Sequence, residues 1–134
     1  MIDAFHDVDL VAMLADDPAE SPIGRAIREI AHPDLETVMV APAGEPTTRN
    51  GVAGYVALWT DWVRAFDRFV LEAVDEPRVA GDVVVNFVRQ RGKLAGSEAE
   101  VTAEGAAVWF FTEGRLARIE FHLDREAALR AAGM

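Results

Sequence analysis

Toward the end of this 134-residue chain, the stretch EFHLD sets Glu120, His122 and Asp124 at every second position. An imidazole beside a carboxylate suits general acid/base catalysis, because the carboxylate orients the ring while the ring moves a proton near neutral pH. The same alternation is what one side of a β-strand produces, since successive side chains point to opposite faces. Arg118, Glu120 and His122 then share one face, and Ile119, Phe121 and Leu123 the other. Asp124 stands where it would cap a short helix in DREAALRAAGM.

Arg89 is the second candidate. Alternation over 82–91 groups Val83, Val85, Phe87, Arg89 and Arg91 on one face, and Val84, Asn86, Val88 and Gln90 on the other. A guanidinium at a cavity mouth binds a carboxylate or polarises an oxygen. At a solvated strand end it would pair instead with Glu98, Glu100 or Glu104 across a hairpin. His6 and His32 are single residues near expected helix ends, and there is no cysteine, so no metal site and no cofactor are expected. AGSEAE and RNGVAG lack the strand–turn–helix context that phosphate loops and nucleophile elbows need.

The balance of 13 Lys and Arg against 23 Asp and Glu leaves a net charge of −10. Such a surface repels phosphate backbones and anionic lipid, so neither nucleic acid nor membrane is an expected partner. The first 14 residues hold three Asp and no Lys or Arg, unlike a secretion signal, and no apolar run reaches the length of a membrane span. The expectation is one globular domain over 1–134 in the cytoplasm, with 51% hydrophobic residues to build its core.

These side chains must be held by elements the sequence pattern outlines. Short helices are predicted over 7–17, with Asp7 or Asp9 as cap, and over 21–34, with Ser21 as cap and Pro22 in the first turn. A strand over 35–41 and a loop over 42–51 follow. Val52, Tyr55, Val56, Trp59, Trp62, Val63 and Phe66 recur at helical spacing, which predicts a long amphipathic helix over 51–69. The period then becomes that of strands, over 69–76, 82–91, 98–111 and 115–123, with turn residues between them. The fold class is α+β, helices first and then an antiparallel meander. Consecutive apolar residues at 83–85 and 106–111 imply a sheet buried on both faces. One face takes the long helix, and with no further helix assigned to the other, a homodimer through that outer face is expected.

Three pieces in this order, HPDLETVMVAPAGEPTTRNGVAGYVALWTDW (32–62), AGDVVVNFVRQRG (80–92) and GAAVWFFTEGRLARIEFHLD (105–124), resemble the SnoaL-like branch of the nuclear transport factor 2-like superfamily, to which ketosteroid isomerase and polyketide cyclases belong. The resemblance implies a cone, a curved antiparallel sheet wrapped around the long helix, with an apolar pocket inside and sheet-to-sheet dimers. It turns Ile119, Phe121 and Leu123 inward and Glu120 and His122 outward. The segment 16–31 departs from the family pattern, which usually begins with a longer first helix. Isomerisation of the ketosteroid type needs an Asp base and a Tyr with a protonated Asp at the oxyanion. Carried over by position, these fall near Val40 and Ala41, near Met1 and near Ala107, none of which can serve.

The implied pocket would be formed by Tyr55, Trp59, Trp62, Phe66, Phe87, Trp109, Phe111, Ile119 and Phe121 around an apolar small molecule. The reading is therefore a small-molecule-binding protein of this type. The alternatives are a cyclase, isomerase or hydrolase using Arg89, Glu120 or His122 in acid/base chemistry, and a non-catalytic dimeric interaction module.

Overall fold

A computed structural model of the chain describes residues 9–15, 17–40 and 45–134; His6, Asp7 and part of the 42–51 loop lie outside them. Asp9 caps α1 (Leu10–Met13), its Oδ1 accepting from Val11 N and from Phe69 N, both at 3.1 Å. That carboxylate thus fastens the first helix to a strand sixty residues away. After a 3-10 turn at Pro18–Glu20, Ser21 Oγ accepts from Gly24 N at 3.2 Å and starts α2 (Pro22–Ile30), with Pro22 in the first turn. The helix stops at Ile30, earlier than expected, because the residues ahead of Pro33 favour extended backbone. Strand β1 (Ala31–Val40) begins at once.

Two short, largely exposed strands escaped the sequence pattern, β2 (Thr47–Asn50) and β4 (Arg78–Ala80). Between them α3 (Gly51–Val63) ends before the predicted 69, since Phe66 belongs to β3 (Phe66–Ala73). There Phe66 pairs with Leu94 and lays its ring where a Cβ on Gly92 would sit, so pairing overrides the helical stripe. The remaining elements are β5 (Val83–Leu94), β6 (Glu100–Thr112), β7 (Arg115–His122) and α4 (Arg125–Ala131), the last capped by Asp124 as expected.

The strands form one curved, unclosed sheet in the order β2-β1-β7-β6-β5-β3, with β4 beside β3 on β5. It is antiparallel apart from β1 and β7, which run parallel with Val38 opposite Glu120. The concave face holds the main core, where Tyr55, Trp59 and Val63 of α3 meet Phe69, Ala107, Trp109, Leu116 and Ile119, closed at one end by Leu10, Ile23 and Ile27. The outer face is not bare. Val85, Phe87, Ala106 and Val108 pack beneath Ala128, Leu129 and Ala132 of α4. The short C-terminal helix therefore covers apolar surface that the sequence reading assigned to a second copy. Among the described residues no helix is long and apolar enough to cross a membrane.

Candidate functional site

Between α3 and the concave sheet lies a cavity of about 60 Å³. Trp59 and Trp62 wall it from the helix, Met39 from β1, Leu71 and Ala73 from β3, and Asn86, Val88 and Gln90 from β5. Gly105, Ala106, Ala107 and Trp109 of β6 and Phe121, His122 and Leu123 of β7 complete it. The wall forms because β5 and β6 are registered with Asn86 opposite Ala107, so bulky Trp109 alternates with small side chains and leaves space beside it. Trp59 stands edge-on to Phe121, ring centres 5.1 Å apart and planes at 74°.

Of the nine expected pocket residues, Trp59, Trp62, Trp109 and Phe121 line this cavity. Tyr55, Ile119, Phe66 and Phe111 sit in or against the core behind it. Phe87 is elsewhere. Strand alternation turns it to the outer face, where Arg125 of α4 stacks 4.0 Å from its ring centre. Tyr55 is fully buried, and burial drives its hydroxyl well above the ordinary range, only partly offset by a hydrogen bond with Trp59. It stays neutral and is no base.

One polar pair is built into the cavity wall. Trp109 Nε1 donates to Asn86 Oδ1, both residues being buried. An asparagine in the middle of VVVNFV interrupts an apolar strand at a site it disfavours, and that interruption is the signal by which the sequence could have revealed it. Gln90 follows four residues on, on the same face beyond Val88.

The ionisable candidates lie apart from this pair. Glu120 Oε1 meets His122 Nε2 at 2.9 Å, Glu120 Oε2 accepts from Arg118 Nε at 2.8 Å, and Arg118 reaches on to Glu36. These mutual contacts place the whole row on one face. Val108 and Ala106, the β6 partners of Glu120 and His122, belong to the cluster beneath α4, so that face is the outer one. Glu120 and His122 are 9% and 7% exposed. Burial opposes the charge on Glu120, but the hydrogen bonds and charges of Arg118 and His122 outweigh it and hold the carboxyl below its usual range. His122 contributes its position to the cavity wall while its Nε2 faces Glu120, and its buried Nδ1 has no hydrogen-bond partner among the described residues.

Arg89 is away from the cavity. Its guanidinium stands 3.9 Å from Glu72 and 3.7 Å from Glu104 on the outer face, with 44% of its side chain exposed, as a solvated strand end would have it. Among the described residues no three His, Asp or Glu side chains converge as metal ligands would. The arrangement therefore joins an apolar, aromatic cavity carrying neutral amides to a charged row behind one of its walls.

Comparison with solved structures gives this architecture a class. A candidate SnoaL-like polyketide cyclase from Jannaschia sp. CCS1 superposes with a TM-score of 0.64 at 18% identity, covering 91% of this chain and 87% of its own. TerC, crystallised with polyporic acid, gives 0.63 at 22% identity over 99% of this chain and 98% of its own. A nuclear transport factor 2-like protein of unknown function from Burkholderia pseudomallei gives 0.61 at 20% identity, covering 92% and 97%. The chain has the SnoaL-like, nuclear transport factor 2-like cone fold. No family profile matches it, and no curated protein matches it in sequence.

Proposed function

We propose that the protein binds a small, largely apolar organic molecule in the cavity between α3 and the concave sheet. The observation that carries this reading is the wall itself, with Trp59, Trp62, Trp109 and Phe121 around about 60 Å³ of space that the chain's own side chains leave open. The neighbour crystallised with polyporic acid supports it by showing an organic compound used with a protein of this fold.

Toluene titrated into the isotope-labelled protein tests the reading by amide NMR. Saturable shifts confined to cavity residues are expected, and they should vanish in Val88→Phe, which fills the space. A native protein showing no saturable shift would overturn the proposal.

A second reading, acid/base chemistry on such a molecule, rests on the 2.9 Å contact between Glu120 and His122 beside the wall. It requires the imidazole to reach the guest. Ring resonances of His122 that stay unmoved while toluene saturates the cavity would remove it.

A further inference from the structure

Resting on the cavity reading above, we propose that Asn86 is a ligand-anchoring residue, whose side-chain NH2 donates to an oxygen acceptor, such as a ketone, on a neutral guest. The argument begins with what an indole can do. Trp109 Nε1 carries a hydrogen and no lone pair for accepting one, so it bonds only an acceptor. Its partner here is Asn86 Oδ1. The opposite amide orientation would set donor against donor, so this contact fixes which end of the carboxamide faces the tryptophan. The NH2 group must then point away from Trp109.

Asn86 lines the cavity and is 8% exposed, and among the described residues its side chain makes no hydrogen bond beyond the one with Trp109. That NH2 is not among the sealed polar atoms of the interior, so a guest's acceptor can take the place that water has on it. The residue also lies mid-strand between Val84 and Val88, where a leucine or valine would have suited the strand better. Gln90, beyond Val88 along the same face, adds a second neutral amide toward the same side.

The rest of the wall sets the guest's charge. The described lining residues include no Asp, Glu, Lys or Arg, so an ionised guest would enter without a counter-charge and lose its hydration. An amide NH2 open at one point and carbon nearly everywhere else select a neutral body bearing an oxygen acceptor.

Acetophenone and ethylbenzene, alike in size and differing in the carbonyl, test this by NMR titration of the native protein. Acetophenone should bind about fivefold more tightly, in line with one net hydrogen bond between neutral groups. It should also shift the Asn86 side-chain NH2 resonances, which ethylbenzene leaves in place. In Asn86→Leu the preference should disappear while ethylbenzene still binds. Should that variant fail to fold, the native NH2 shifts decide alone. Equal affinity for the two compounds, unmoved NH2 resonances, or a preference that survives in Asn86→Leu overturns the anchoring role. If neither compound binds the native protein, the cavity reading itself fails and the anchor with it.

Discussion

On the concave side of β5, β6 and β7 the polar groups are few and neutral, Asn86 bonded to Trp109 amid aromatic rings. On the outer side of the same strands they are charged and chained together, Glu36 to Arg118 to Glu120 to His122. The two faces are one side chain's thickness apart, yet their unused capacity differs. Along the outer row each charge already has an opposite neighbour, and the Arg118 and Glu36 side chains remain 39% and 43% exposed, so water completes their shell. The concave amide has its oxygen committed to Trp109, and among the described residues its NH2 bonds no other side chain. A cluster that looks chemical because it is charged can thus have its charges paired, with only the His122 Nδ1 unbonded among the described residues, while the amide NH2 at the cavity wall stays open to a guest.

The comparison breaks most visibly at Trp59, 4% exposed and packed on Phe69 and Phe121. Trp59→Ala removes a large side chain shared by the core and the cavity wall. A loss of about 3–5 kcal/mol is expected from urea denaturation, as for other buried aromatic truncations. A loss below about 1 kcal/mol would mean that the concave side is not the stabilising core.

A smaller effect separates the outer row. Glu120→Gln keeps the shape but leaves Arg118 and His122 without their shared anion, and about 1–2 kcal/mol should be lost at neutral pH, moderated by the exposure of Arg118. The sign with pH follows from the depressed carboxyl. Its contribution is fully present above the unfolded-state value of about 4.3 and fades as pH falls through that value and then through the lower folded one. Denaturation curves of native and variant protein should therefore converge on acidification. A gap that stays constant down to pH about 3 would show that the row is not coupled to the ionisation of Glu120.

How far these two sides could be read from sequence follows the physics of each. Alternation in β7 set Glu120 and His122 opposite Phe121, and the row does face outward, because a period of two fixes faces whatever surrounds the strand. The stripe from Val52 to Val63 announced α3 for the same kind of reason. Its end was invisible: Phe66 continues the stripe in spacing, and only pairing with β5 across Gly92 makes it a strand residue. Phe87 shares the aromatic character of the cavity residues, but its own alternation sets it beside Val85, under α4. The cover that α4 gives is a long-range contact that its short sequence did not advertise. Asn86 was visible as an interruption, but its role needed Trp109, 23 residues away, to fix the amide.

The smallest expected effect concerns the turn that keeps the two faces apart. Glu113 and Gly114 join β6 to β7 with φ of 54° and 79°, both left-handed, as a two-residue hairpin with strands of native twist requires. Glycine adopts that conformation freely, whereas glutamate there costs about 1 kcal/mol. The turn matters beyond its own strain, because it sets Val108 opposite Glu120 and Ala107 opposite Phe121. A slip of one residue would carry the charged row into the cavity and Phe121 out of it. Glu113→Asn, which tolerates positive φ, should raise stability by about 0.5 kcal/mol. Glu113→Val should lower it by about 1 kcal/mol, since a branched Cβ crowds the backbone there. Both variants should leave the preference for acetophenone over ethylbenzene unchanged if the long ladders of β6 and β7 hold the register without help. A preference lost in Glu113→Val, with the fold retained, would show instead that this two-residue turn decides which face meets the guest.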